Sequence, residues 1–283
     1  MNLTCGGGRV LDLTRPVVMG VLNVTADSFS DGGRFRDADA AIMQGAQMVE
    51  QGAAIIDVGG ESTRPGAEPV PLQQELDRVI PVIEALASRL DVLLSVDTMK
   101  PDVMREAVRA GAGLINDVQA LAEPGAIEAA AASGAAVCLM HMQGTPRTMQ
   151  QDPHYDDVVT EVDEFLRQRA AACIAGGIAA SRICVDPGFG FGKTVAHNLT
   201  LLATLQRLAT GPYPLLVGLS RKSMLARLTG RAVHDRLAGS LALATIATLH
   251  GARIVRAHDV AATVDAVVVA WATRQQQGNP GEW

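Results

Sequence analysis

Polar residues recur in this chain where short apolar runs stop. The places are Val21-Leu22-Asn23, Asp57 to Arg64, Ser95-Val96-Asp97, Ile115-Asn116-Asp117, Leu139-Met140-His141, Val185-Asp186, Gly218-Leu219-Ser220 and Val255-Arg256. Carboxylates only accept hydrogen bonds when ionised, whereas an amide both donates and accepts. Asp97, Asn116 and Asp186 together therefore suit the edge of an aminopyrimidinone, where donors and acceptors sit side by side. Lys222, four residues past a strand end, can donate to a ring nitrogen or carbonyl and balance Asp186. Arg256 and nearby His258 form an anion-binding pair, and Arg64 adds a second guanidinium, the side chain best shaped for phosphate oxygens. The set describes a pocket for a flat polar heterocycle carrying an anionic leaving group. Each residue has a plainer reading: Asp97 could cap the next helix, and Lys222 could be an ordinary surface lysine.

Other residues extend the set. The Asn23 amide oxygen is a possible Mg²⁺ ligand, although Mg²⁺ keeps waters and commonly binds through substrate phosphates. No HExxH or Cys-rich pattern offers a protein-only metal site. The polar loops 23–35 and 59–71 are candidates to close over a ligand and exclude water, with Phe29 folding inward. Asp186-Pro187-Gly188-Phe189-Gly190-Phe191-Gly192-Lys193 is a further wall in which either Phe could stack on an aromatic guest. It does not fit the P-loop pattern, so ATP is not implied. Ser220 is expected to cap a helix starting near Lys222. His141 lies where it could line or support the pocket, and the scattered histidines form no zinc motif.

Elements of the right kind exist to gather these residues. Apolar strand runs are expected at 17–22, 54–58, 92–96, 113–115, 136–140, 182–185, 214–218 and 252–255. Helices are expected from about 37 to 51, 72–90, 101–111, 124–133, 155–175, 195–209, 222–228, 235–250 and 259–273. Residues 3–13 read as a β-hairpin around Cys5-Gly6-Gly7-Gly8 closing the lower end, and 275–283 as a loose tail. Strands buried on both faces and alternating with helices predict an α/β fold, a (β/α)8 TIM barrel whose strand ends share one mouth. An open doubly wound sheet would prefer a Gly-rich loop where Asn23-Val24-Thr25 stands.

Bulk composition agrees. A chain of 283 residues with 48% hydrophobic content fits one domain over 1–283. The formal charge of −6 argues against broad nucleic-acid binding. No apolar run reaches the roughly 18 residues of a membrane span. Cys5 to Arg9, followed by Asp12, does not read as a secretion signal. The four cysteines form no CxxC pair and suit a reduced, cytoplasmic protein.

Taken together and in order, these motifs resemble the dihydropteroate synthase family over nearly the whole chain. They are Gly20 to Thr25 continued by Asp27 to Gly33, Asp57 to Gly66, Ser95 to Thr98, Asn116-Asp117, His141 to Gly144, Asp186 to Lys193, Ser220 to Ser223 and Arg256 to Asp259. The resemblance implies a transferase of folate biosynthesis joining 6-hydroxymethyl-7,8-dihydropterin diphosphate to 4-aminobenzoate. Its products would be 7,8-dihydropteroate and pyrophosphate, formed through a carbocation-like substitution. It implies pterin contacts from Asp97, Asn116, Asp186 and Lys222, with Met140 and Gly218 in the same lining. Asn23, Arg64, Arg256 and His258 would hold the diphosphate with Mg²⁺. Thr63, Arg64, Pro65, Ser220, Phe29 and Phe191 would shape the aminobenzoate site. Asp97, Lys222 and Arg64 are the expected catalytic residues. A homodimer and sulfonamide binding are also implied. One departure is Ala26, where the family usually has Pro; a higher cost of loop closure and a modest effect on activity are expected, without loss of function.

Two readings share the same pterin face. A pterin-binding methyltransferase would have less use for Thr63-Arg64-Pro65-Gly66 and the diphosphate cluster. A non-catalytic pterin-binding paralogue would bind pterin and make no product.

Overall fold

The computed structural model describes residues 1–24, 34–63 and 66–278. Strands β1 (Asn2–Thr4) and β2 (Val10–Asp12) pair antiparallel across the Gly6–Gly8 turn. The parallel strands β3 (Val17–Asn23), β4 (Ile55–Gly59), β5 (Leu93–Asp97), β6 (Leu114–Asp117), β7 (Ala136–Met140), β8 (Ile183–Asp186), β9 (Leu216–Gly218) and β10 (Ile254–Ala257) follow. They hydrogen-bond in the order β8-β7-β6-β5-β4-β3-β10-β9. A bridge between Val185 and Leu215, with Val185 N–H donating to Pro214 O at 3.0 Å, brings the two ends together. The (β/α)8 barrel is thus the observed architecture, with the N-terminal hairpin in place.

Strand residues alternate between the two faces of a sheet. One set, including Val18, Leu22, Ile56, Val58, Leu94, Val96, Ile115, Val137, Leu139, Val217 and Val255, packs outward into the main core under the helices. The other set points into the barrel. At its lower end Met19, Ile55, Leu93, Leu114, Ala136, Cys138, Cys184, Leu216 and Ile254 form a separate apolar cluster. Leu3, Cys5 and Leu13 of the hairpin belong to the same cluster, so the hairpin plugs the barrel floor. Continuing the inward set two residues further along each strand reaches Asp57, Ser95, Asn116, Asp186, Gly218 and Arg256. Another step reaches Asn23, Gly59, Asp97 and Met140. Period-two alternation on parallel strands therefore delivers the polar residues to one mouth.

The connecting helices are α1 (Arg34–Glu50), α2 (Leu72–Arg89), α3 (Pro101–Arg109), α4 (Ala126–Ser133), α5 (Val158–Ala175), α6 (Val195–Ala203), α7 (Leu205–Ala209), α8 (Ser223–Thr229), α9 (Leu237–Leu249) and α10 (Val260–Gly278). Several differ from expectation for identifiable reasons. The helix expected over 195–209 breaks at Thr204, whose hydroxyl donates to Thr200 O at 2.7 Å and competes with the backbone ladder. The helix expected from Tyr155 starts at Val158, because the Asp157 side chain caps it by accepting from Val159 and Thr160 N–H. Residues 275–278, expected to begin the loose tail, belong to α10; Gln275 to Gln277 are good helix formers.

Candidate functional site

Four side chains from four strands meet at the centre of the mouth. Arg256 Nε donates to Asp57 Oδ2 at 2.6 Å, and its Nη2 donates to Asp97 Oδ2 at 2.7 Å. Asn116 Nδ2 donates to the same Asp57 oxygen at 3.1 Å. Among the described residues the other Asp57 oxygen is buried without a hydrogen-bond partner, as is Ser95 Oγ on the neighbouring strand. Asp97 does not cap α3; the Thr98 hydroxyl accepts Lys100 N–H instead, leaving the carboxylate to the barrel. Burial pushes the Asp97 carboxyl up to about 7, with Arg256 opposing and Asp57 adding to the rise. Burial also works against the Arg256 charge, but Asp57 and Asp97 outweigh it and hold the guanidinium above its ordinary range.

One side of the mouth is built by the strap after β8. Asp186 Oδ1 accepts Gly188 N–H at 2.7 Å, which folds the chain back over the strand end. Gly188 has φ +67, and a Cβ there would lie 1.9 Å from His141 O, so glycine is required by both conformation and space. Lys193 is buried beneath the strap. Its Nζ donates to Gly188 O and Phe191 O at 3.0 Å each and meets His141 Nδ1 at 2.9 Å. Burial lowers the Lys193 ammonium to about 7 and His141 to about 3, so a neutral His141 can accept from the charged lysine. His141 thus supports the wall from below.

Above the strap, Lys222 Nζ stands 4.0 Å from the centre of the Phe191 ring, within cation–π range. Its stem lies against Gly190, where a Cβ would sit 3.0 Å from Lys222 Cδ. Enclosure lowers Lys222 to about 8, and Asp186 pulls it back up. Asp186 is itself raised to about 6 by burial, against the Gly188 hydrogen bond and the charges of Lys222, Lys193 and Arg256. These acidic and basic groups nearly balance, so a guest that gains positive charge would meet carboxylates already fixed in place.

The adjoining side is formed by β9 and β10, which follow β8 around the closed barrel. Ser220 is not the cap of α8; Lys222 occupies that position and makes no side-chain cap. Arg221 has φ +58, which reverses the chain before the helix starts. Ser220 Oγ instead accepts His258 N–H at 3.2 Å and meets His258 Nδ1 at 3.0 Å. A cleft of about 330 Å³, lined by Gln44, Gln47, His258 and the first residues of α10, opens beside this corner. A helix start with a histidine suits an anion. Asn23 ends β3 at the same rim. Among the described residues nothing fills the space where a Gly218 side chain would be.

The base of loop 59–71 is tied down next to Asp97. Lys100 Nζ contacts Glu61 and the fully buried Glu75, and Glu75 accepts from the Thr98 hydroxyl at 2.6 Å. Arg78 donates to Gly60 O at 2.9 Å. Thr63 is half-buried beyond this anchor. Phe29, Arg64, Pro65 and Ala26 lie outside the described residues.

The structure thus gathers Asn23, Asp97, Asn116, Met140, Asp186, Phe191, Gly218, Ser220, Lys222, Arg256 and His258 around one mouth. Two participants were not foreseen from sequence. Asp57 was placed in the strand over 54–58 at the head of a polar stretch but given no task, yet a charged residue inside Ile55-Ile56-Asp57-Val58 is its own signal. Lys193 was named only as the end of the Asp186–Lys193 wall, and nothing local marks its burial. Among the described residues no group of three His, Cys, Asp or Glu side chains could hold a metal by itself.

Comparison with known proteins agrees with this geometry. Residues 19–258 match the family described as pterin binding enzyme. Dihydropteroate synthase of Escherichia coli (strain K12) is 53% identical over 272 residues, covering 96% of each chain. A Yersinia pestis dihydropteroate synthase solved with a sulfonamide drug superposes with a TM-score of 0.92 at 54% identity, covering 97% of this chain and 100% of that one. The Xanthomonas albilineans enzyme solved with 4-aminobenzoic acid gives a TM-score of 0.90 at 53% identity, covering 96% and 98%. The same enzyme with 7,8-dihydropteroate gives 0.87 at 50% identity, covering 97% and 99%. A mouth of carboxylates, an amide and two inward cations, in a barrel this similar along its length, places the chain in the pterin-binding enzyme family, among the dihydropteroate synthases.

Proposed function

We propose that the protein joins 6-hydroxymethyl-7,8-dihydropterin diphosphate to 4-aminobenzoate, releasing 7,8-dihydropteroate and pyrophosphate. The observation that carries this reading is the convergence of Asp97, Asn116 and Asp186 with Lys222 and Arg256 at one barrel mouth. In the reaction the C–O bond to the diphosphate breaks and its electron pair leaves with pyrophosphate. The arylamine lone pair then forms the C–N bond, and the amine releases a proton. An electron-rich dihydropterin can carry the intermediate positive charge, so no covalent nucleophile is needed.

Each residue has a task in this scheme. Asn116 and Asp186 orient the pterin edge. Asp97 stabilises the cationic ring electrostatically. Lys222 holds the ring edge or carbonyl, because an ammonium near the methylene would oppose its charge. When substrate arrives, Arg256 can exchange part of its pairing with Asp97 for the guest. His258, Asn23 and the start of α10 form the diphosphate corner, with Arg64 joining from its loop. Phe191, Phe29, Thr63, Pro65 and Ser220 shape the aminobenzoate wall, which would also admit sulfonamides. Met140 and Gly218 complete the floor.

A single amide oxygen at Asn23, without a carboxylate cluster, fits a Mg²⁺ that arrives with the diphosphate. Such an ion neutralises leaving-group charge. A homodimer is part of the proposal; exposed Ile246 on α9 and Val268 and Val269 on α10 supply apolar surface for it. So is a cytoplasmic location, since all four cysteines are buried and free, a state that a reducing compartment preserves. Among the described residues no helix is long and apolar enough to cross a membrane.

The test is a two-substrate assay resolving dihydropteroate and pyrophosphate, with and without Mg²⁺. Both products should appear in equal amounts. Pterin binding without product in the presence of Mg²⁺ would reject the assignment in favour of a binding paralogue.

A further inference from the structure

The mouth contains an ion pair to which the proposed chemistry gives no task. Arg221 Nε and Nη2 donate to the two carboxylate oxygens of Asp259 at 3.0 and 2.5 Å. These residues follow the ends of β9 and β10, whose ladder pairs Arg256 with Gly218 at an offset of 38 residues. Ser220 with His258 and Arg221 with Asp259 keep that same offset of 38. Side chains therefore continue the strand register past the last backbone pair and zip the two loops together.

Arg221 is also one of the few non-glycine residues with positive φ, at 58°. Such a conformation is unfavourable for a side chain with a Cβ and persists only where its surroundings over-determine it. Here they do. Its N–H donates to Ser240 Oγ at 2.9 Å, and its carbonyl accepts from Arg236 Nη1 at 3.0 Å. Asp259 holds the side chain, and the start of α10 favours a carboxylate at that position. The next residue is Lys222, with φ −59 and ψ 150, whose stem crosses Gly190 and whose ammonium stands over Phe191. The reversal at Arg221 sets the direction in which Lys222 leaves the backbone.

We infer that Arg221 is a positioning residue: its forked pair with Asp259 fixes the backbone reversal that aims Lys222 into the mouth. The inference rests on the proposed reaction, in which Lys222 meets the pterin. It assigns no contact with substrate to Arg221, whose guanidinium points toward Asp259.

A double-mutant cycle tests it. Arg221→Ala, Lys222→Ala and the double variant are compared in kcat/KM for the pterin diphosphate, with thermal midpoints recorded alongside. If Arg221 acts through Lys222, Arg221→Ala loses about 10- to 100-fold, and the double variant is no worse than Lys222→Ala within about twofold. Two losses that multiply would overturn the inference, as would an Arg221→Ala enzyme with unchanged kcat/KM. Should Arg221→Ala fail to fold, Asp259→Asn enters the same cycle, removing the charge while keeping the volume, and the same outcomes apply. Wild-type enzyme that makes no dihydropteroate would instead reject the function itself, so the two failures are separate.

Discussion

Replacing Asp97 by Asn should make the folded protein more stable at pH 8 while removing most of its activity. The carboxyl has an ordinary value of 3.8 and stands at about 7 in the folded state, mainly through burial. Between those values the native protein holds a proton that the unfolded chain has released. Stability is therefore intact below about 3.8 and is lost as pH rises to about 7. A gap of roughly three units at 1.36 kcal/mol each corresponds to about 4 kcal/mol. The attraction of Arg256, bonded at 2.7 Å, already opposes the rise and is part of that balance. Asn cannot ionise, and its amide oxygen can still accept from Arg256. The variant should escape the loss and gain about 2–4 kcal/mol over wild type at pH 8, with near equality at pH 4. Turnover should fall by about 10² to 10³, the usual effect of removing one fixed group that stabilises transition-state charge. Urea unfolding of both proteins at several pH values, with kcat measured alongside, decides the matter. An Asn variant less stable than wild type at pH 8 would show that the Arg256 pair outweighs desolvation, and the reasoning would fail.

Three further outcomes follow from the same geometry. Wild-type kcat/KM should rise with pH through the region 6 to 7 as Asp186 and Asp97 ionise, since their values stand at about 6 and about 7; a profile flat from pH 5 to 8 would contradict these roles. Lys193→Met should leave Gly188 O and Phe191 O unsatisfied beneath the strap, costing about 1–3 kcal/mol of stability and raising KM for 4-aminobenzoate; because burial lowers this lysine to about 7, wild-type stability should also gain from it between about 7 and 10.5, a gain absent in the Met variant. Gly218→Ala meets nothing within 4 Å among the described residues and should fold normally, whereas Gly188→Ala would collide with His141 O and should destabilise severely; denaturation curves separate the two, and raised KM in the Gly218 variant would place a guest against that strand.

Much of the arrangement was legible in the chain because apolar runs and their polar ends are local signals. Asp97, Asn116, Asp186 and Arg256 were found that way, and the barrel followed from the alternation of runs with helices. Asp57 was passed over because a motif beginning with it drew attention to the loop beyond. Its place in the inward series, two residues past Ile55, required the strand phase as well as the strand end. Ser220 was misread as a helix cap because nothing in Ser220-Arg221-Lys222 announces a left-handed arginine. That conformation depends on Ser240, Arg236 and Asp259, which are distant in sequence. Lys193 was missed for the same kind of reason: its burial depends on a strap folding back over β8. Local patterns specify which residues reach the mouth, while contacts between loops decide how they point.

The hairpin under the barrel has a kinetic consequence. With Leu3, Cys5 and Leu13 sealed against residues from each parallel strand, the cylinder is a cup and not a tunnel. A molecule resting on the carboxylates of the mouth can depart only by retracing its arrival. Anything lodged nearer the rim stands in that path.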